Sequence, residues 1–264
     1  MSPDPDEARR GSRASSIPAA QNAELHARTP ARPTRLLTRS NRRLAREGTW
    51  TWTLPALAAR LPDGRTVTTC PSAGVCAQAC YARAGAYRFP AVRAAHIRNL
   101  AFVLDDPAGW ETAMRNELRH PRFIGAYVRI HDSGDFFSDD YLAAWLRIVN
   151  AIPGTHFYCY TKEVLMFRRH VEPEPPANLR WIYSLGGRHD QHIDLGLDRT
   201  ADVFPTENAI TDAGWNWDHD SDLRAAYGPT PIGMAARNIP QAKRRQGNRT
   251  FGEWQHEARQ RRSA

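Results

Sequence analysis

The chain has 264 residues, 41% of them hydrophobic, enough for one sizeable core, and it carries a formal net charge of +8. No run approaches the roughly 20 apolar residues of a membrane helix, and the opening MSPDPDEARR has neither an apolar signal core nor the acid-poor character of a transit peptide. The expectation is a cytoplasmic protein with no membrane association.

The charge belongs to the ends. Residues 1–46 hold ten Arg against four acids, and residues 237–264 hold eight basic residues against two, which leaves the stretch between them near −4. Residues 1–46, rich in Ser, Pro, Ala and Arg and without apolar periodicity, read as a disordered Arg-rich tail, either a solubilising arm or a phosphate-binding one. Residues 47–236 read as one domain. TVTTC (66–70) is a short β-branched run ending in TTCPSAGVCAQACYARAGAY, which holds three of the four cysteines.

Helices are expected over Tyr87 to Leu104 and Trp110 to Arg119. GAYVRIHDSGD (125–135) reads as a strand running into a polar turn, and Ser138 as the N-cap of a helix that Pro153-Gly154 stops. THFYCYTK (155–162), LRWIYSLGG (179–187) and ADVFPTENA (201–209) read as further strands, with a short helical stretch to His170. Strand then helix with short connections is the pattern of parallel βα units, and the expected fold is an α/β, TIM-like, incomplete (β/α) barrel with basic N- and C-terminal tails. The C-terminal tail, 237–264, reads as a short basic helix with Phe251 and Trp254 packed inward.

In such a barrel, functional groups gather where strands end. Cys70, Cys76 and Cys80 follow one strand; His131, Asp132, Ser133 and Asp135 close the next; Cys159, Tyr160, Thr161 and Lys162 close another; Ser184, Gly186 and Gly187 close a fourth. In a reducing compartment clustered thiols point to metal or redox chemistry. The spacing Cys-x5-Cys-x3-Cys puts three soft ligands on one loop. A structural zinc needs a fourth ligand, from Cys159, His189 or His192, whereas three thiolates leave one iron of a [4Fe–4S] cluster open. Lys162 stands out because the chain has only two lysines. Asp190, His192 and Asp194 form a polar patch that reads as a solvated loop.

The cysteine loop, with Tyr81 beside its last thiol, resembles that of radical S-adenosylmethionine (radical SAM) enzymes. There, three cysteines after the first barrel strand hold a [4Fe–4S] cluster. HDSGDF resembles that family's Gly-Gly-Glu strand end. Cys-Pro…Cys…Cys-Tyr-Ala, Ser-Gly-Asp-Phe and a Tyr-Thr pair also resemble the gene product 88 family of actinobacteriophages, over about residues 66 to 210. This loop is wider than the usual Cys-x3-Cys-x2-Cys, and Asp135 stands in for Glu. The resemblance implies a barrel of the radical SAM type and an enzyme in which Cys70, Cys76 and Cys80 bind the cluster.

It also implies that S-adenosylmethionine is cleaved to a 5′-deoxyadenosyl radical with an external electron donor and an unidentified substrate. Tyr81, Ser133, Gly134, Asp135, Lys162 and Ser184 would contact the cofactor: Ser133 and Asp135 its amine, Lys162 its carboxylate, Ser184 its ribose. Cys159 and Lys162 are the catalytic candidates, Cys159 as a hydrogen-atom donor. The second reading is a zinc- or Fe–S-stabilised accessory protein of a phage or mobile element that binds nucleic acid through its Arg-rich tails, without radical chemistry.

Overall fold

The computed structural model describes residues 32–39, 42–219 and 221–263. Its centre is a seven-stranded sheet: β1 (Thr49–Trp52), β4 (Tyr127–Ile130), β5 (His156–Thr161), β6 (Leu179–Ser184), β7 (Thr200–Phe204), β8 (Asn216–Trp217) and β9 (Ile232–Ala235). The strands lie in the order β1-β4-β5-β6-β7-β9-β8, and all neighbours are parallel. This is an α/β architecture. The sheet has two ends, β1 and β8, and no closed barrel is formed among the described residues. The β1 edge is covered by an antiparallel bridge, with Thr38 and Thr51 exchanging N–H···O bonds of 3.0 and 2.7 Å.

The run 66–70 is a strand of another kind. β3 (Thr66–Thr68) pairs antiparallel with β2 (Ala58–Arg60) in a separate hairpin, so the cysteine loop follows that hairpin and not a strand of the main sheet. The first sheet strand is the four-residue TWTW of β1.

Helices α2 (Pro90–Asp105) and α3 (Pro107–Leu118) both begin with proline at the first turn, where its fixed φ suits the helix and its missing N–H costs nothing. For the same reason α2 starts later than the expected Tyr87, which sits in a 3-10 turn, Gly85–Arg88. Helix α4 (Asp139–Ala151) is capped as expected. Ser138 Oγ accepts from Tyr141 N at 3.2 Å, and Asp139 and Asp140 complement the dipole of its first turn.

Its buried side, Tyr141, Leu142, Trp145, Ile148 and Val149, joins Trp52, Trp110, Phe157, Cys159 and α5 (Val164–His170) in the main core on one face of the sheet. Strand alternation sends Tyr158 to the other face, where it packs with Ile182, Ala201, Ile232 and Ala225 and Ala226 of α7 (Leu223–Tyr227), the helix after α6 (Glu207–Asp212); Tyr160 packs against that cluster.

The N-terminal segment differs from the reading, whereas the C-terminal one forms a helix with Phe251 and Trp254 packed inward as expected. Residues 1–31, 40 and 41 lie outside the described residues, but Leu36, Leu37 and Leu44 are buried, so packed structure begins before residue 46. Leu44 belongs to α1 (Arg42–Arg46), and Glu117 accepts from the backbone N–H of Leu36 at 2.7 Å.

At the other end α8 (Pro240–Gln246) and α9 (Phe251–Ser263) fold back, and Phe251 and Trp254 pack on Val75 of the cysteine loop. Asp202 of β7 accepts from Gly252 N at 3.1 Å with either oxygen, at the start of α9. Burial pushes its pKa up to about 6 from 3.8, although bonds from Thr250, Val203 and Gly252 favour the ion. A folded-state value above the unfolded one means stability present at low pH and lost as pH rises through 6. The gap corresponds to about 3 kcal/mol. Asp202→Asn is therefore expected to flatten the pH dependence of the melting temperature between about pH 4 and 7 relative to the unmodified chain. Identical profiles would refute this.

Candidate functional site

A cavity of ≈ 600 Å³ opens at the C-terminal ends of the strands. Its lining includes Cys70, Cys76, Cys80 and Tyr81, then Asp132 to Asp135, then Tyr160 to Lys162 and Ser184, with Trp217 and Met234 on the far side. One cavity therefore gathers all three clustered cysteines and every residue expected to contact a cofactor. Cys159 is the exception: it is fully buried in the main core, on the sheet face away from Tyr160, because side chains alternate along β5. That placement removes it as a hydrogen-atom donor. His189 and His192 are absent from the cavity lining, so neither supplies a fourth ligand there.

The cysteine loop is held from three sides. Glu163 accepts from Ser72 N at 2.9 Å and Ser72 Oγ at 2.6 Å. The Gly186 carbonyl accepts from Gly74 N and Cys76 N, both at 3.2 Å. Gln255 Oε1 of α9 accepts from Val75 N at 2.8 Å. Gly74 must be glycine, since a Cβ there would stand 2.1 Å from Gln255 Oε1 and 2.7 Å from Gly186 O. Gly186 itself turns the chain at φ 96, and Asp190 ties the turn by accepting from Gly186 N at 2.7 Å and Gly187 N at 2.9 Å.

Leu57 N donates to Cys70 Sγ at 3.3 Å, and the N–H groups of Gly74 and Ala82 favour the Cys76 and Cys80 thiolates electrostatically. Burial pushes all three thiols up, and Lys162 opposes this most at Cys76. Cys159 is pushed up by burial and Asp135 and has no N–H support. Among the described residues no three His, Cys, Asp or Glu side chains are gathered closely enough to hold one metal ion.

The strand-end residues form a chain of hydrogen bonds across four strands. Ser133 Oγ donates to Leu54 O at 2.5 Å, beyond β1. Asp135 accepts from Thr161 Oγ1 at 2.8 Å, Phe136 N at 2.9 Å and Lys162 N at 2.9 Å. Lys162 Nζ donates to Ser184 O at 2.7 Å, Ser184 Oγ at 2.9 Å and Leu185 O at 2.9 Å. Gly134, at φ 80, lets this end approach Leu54, whose Cβ a side chain would meet at 2.7 Å.

The three protons of Lys162 are thus all donated to protein acceptors, and it serves as a fixed cation rather than a free ligand donor. Ser133 is likewise engaged. Burial raises Asp135 to about 6, and burial together with the Asp135 charge raises Glu163 to about 7.

Several groups were not legible beforehand. Arg129 of β4 pairs through Nη1 with Asp222 at 3.2 Å and approaches Asp132 at 3.6 Å, while its Nε is buried without a partner. Its guanidinium lies over the Tyr160 ring at 4.8 Å. Tyr158 donates to Asp222 at 2.7 Å and Tyr87 to Asp132 at 2.6 Å, and Tyr81 donates to the Asp132 carbonyl.

His131 sits at φ 67, a conformation rare outside glycine and found where the surroundings over-determine it. Burial, with Arg129 next, lowers its pKa to about 3, so it is neutral. Trp52 Nε1 donates to Tyr141 Oη at 2.8 Å, and the same oxygen shares a 2.9 Å hydrogen bond with His131 Nε2. His131 Nδ1 is buried with no partner. Arg129 gives no local signal of burial, since a basic residue in a strand ordinarily faces outward. Asp222, 93 residues away, gives no local signal.

No helix among the described residues is long and apolar enough to cross a membrane. The sequence model of a family described as Gene product 88 matches residues 35–264. The Gene 88 protein of Mycobacterium phage L5 is 31% identical over 110 residues, an alignment that covers 39% of this chain and 46% of that protein. The alignment therefore spans less than half the length of that relative. No solved structure matches the chain.

Proposed function

The chain belongs to the gene product 88 family, and from that premise we propose that its cavity houses a [4Fe–4S] cluster on Cys70, Cys76 and Cys80 and takes S-adenosylmethionine at the open iron, as a radical SAM-like enzyme does. What carries this reading is that Cys70, Cys76 and Cys80 line one cavity, with the Leu57 N–H donating to Cys70 Sγ at 3.3 Å. Such bonds stabilise thiolates and tune cluster potentials, and a neutral thiol makes little use of them. The donor set fits a cluster: three soft ligands, an open position and a cavity of ≈ 600 Å³, within the about 300–1,000 Å³ of small-molecule sites.

When bound, the cluster and S-adenosylmethionine would supply reductive cleavage and hydrogen abstraction, which is cofactor chemistry. The chain supplies placement. Lys162, fixed by three bonds, holds a positive charge that favours the Cys76 thiolate. Because its protons are committed, Arg129, a second cation of the cavity lining, is the candidate partner for the cofactor's carboxylate. The Ser184 hydroxyl, which accepts from Lys162, keeps its own proton to donate to a ribose oxygen. Tyr81, Met234 and Phe251 line the cavity and reduce access of water.

Anaerobic reconstitution followed by iron, sulfide and zinc analysis tests the proposal, together with electron paramagnetic resonance of the reduced protein. The expected result is about four irons per chain and a spectrum that changes when S-adenosylmethionine is added. Stoichiometric zinc without iron uptake would replace this reading with a structural metal site.

A further inference from the structure

Several exposed arginines are matched by carboxylates, such as Arg65 with Asp63 and Asp105, Arg147 with Glu111, Arg168 with Glu172 and Asp198, and Arg261 with Glu257. Around the mouth of the cavity a group of cations is left without such a match. Arg237 and Lys243 line the opening, and Arg245 reaches the cysteine loop through a 3.0 Å bond to Gln78 O. Arg83 is close enough to Cys80 to influence its thiol. All four are exposed, and none has a carboxylate within ion-pair distance among the described residues. They meet there because the folded C-terminal segment lays α8 against the cysteine loop.

Unpaired cations at fixed positions favour a partner with repeated negative charge. Behind them the cavity presents the half-buried rings of Tyr160 and Trp217. A planar, apolar-faced group with polar edges suits that wall. An acidic protein would use the rim and leave the aromatic interior empty, and a free mononucleotide would use the interior and leave most of the rim unpaired.

We infer that the substrate of this cavity is a nucleotide within a single nucleic-acid strand, its phosphates lying on Arg83, Arg237, Lys243 and Arg245 and one base entering against Tyr160 and Trp217. The inference names the substrate class for the proposed iron–sulfur reading and concerns the same cavity. It also moves nucleic-acid contact from the tails as flexible arms to a surface built by the folded C-terminal segment. A base must leave its stack to enter, as with enzymes that act on an extruded nucleotide.

The test is fluorescence anisotropy of the full chain with a labelled strand of about 20 nucleotides carrying one 2-aminopurine, over a salt series. The triple variant Arg237→Ala/Lys243→Ala/Arg245→Ala is expected to bind about 10-fold more weakly near 100 mM salt and to lower the salt slope by about 2. The control Arg65→Ala/Arg147→Ala/Arg261→Ala, which removes paired charges, is expected to stay within about twofold. 2-Aminopurine emission should change on binding to the unmodified chain and stay unchanged with Trp217→Ala, while anisotropy still reports binding.

Equal binding by the rim variant, unchanged emission with the unmodified chain, or displacement of the strand by adenosine monophosphate at equal concentration would each overturn the inference. Iron analysis of the same samples separates the two claims. A loaded cluster without strand binding refutes the substrate class alone, and strand binding by a chain that takes up no iron refutes the cofactor alone.

Discussion

Cys76→Ala protein should emerge from anaerobic reconstitution without a cluster, while Cys159→Ala protein should carry about four irons per chain, as the unmodified chain does. The two thiols have the same chemistry and opposite surroundings. Cys76 lines the cavity within reach of the Lys162 charge, and its loop is pinned by Gly186, Glu163 and Gln255. Cys159 is enclosed by the main core. Its truncation removes one small buried group and costs about 1 kcal/mol in stability, with no donor lost from the cavity.

Cys70→Ala and Cys80→Ala should behave like Cys76→Ala, since all three sulfurs line the same cavity. The measurement is iron and sulfide content with the visible absorption of each variant. Full loading of Cys76→Ala, or loss of loading in Cys159→Ala, would show that the ligand set is misassigned.

Arg129→Met is expected to have the largest effect on stability. The Arg129 side chain is 14% exposed and its partners Asp222 and Asp132 are 11% and 9% exposed. Burial opposes the charge on Arg129, and Asp222 and then Tyr81 and Asp132 overcome that opposition, so its pKa lies well above the ordinary value. Methionine fills similar space and leaves two nearly buried carboxylates with no cation. Breaking a buried pair from one side costs about 3–5 kcal/mol, which lowers the melting temperature by about 6–20 °C in a chain of this size. Adding Asp222→Asn should restore most of the loss, because the amide can still accept from Tyr158 without carrying charge. A single variant that melts within about 2 °C of the unmodified chain would show that these charges are solvated.

The parts of the fold that could be read from the sequence are those specified locally. Ser138 capped α4 where its hydroxyl and the following acids indicated, and the β-branched and aromatic runs of β5, β6 and β7 became neighbouring parallel strands. The clustered cysteines and HDSGD share one cavity because they occupy loops at the same end of the sheet.

What depended on distant partners was not legible. TWTW is too short to announce itself as the sheet's first strand, whereas TVT looks equally strand-like and pairs only with β2. Ser133, Asp135 and Lys162 were identified as cavity residues, yet their expected ligand contacts are occupied by Leu54, Thr161 and Ser184, a fact set by how four strand ends meet. Arg129 and Asp222 become a pair only when strand alternation and α7 bring them together.

The clamp of Gln255 on Val75 spans 180 residues of chain. At ribosomal speeds of about 5–20 residues per second, the cysteine loop therefore exists for about 10–40 s before its last support has been synthesised. During that interval Glu163 and the Gly186 carbonyl arrive first and the helix carrying Phe251 and Trp254 arrives last. Assembly of the loop is thus ordered in time by the chain itself: its first supports are made well before the helix that completes its enclosure.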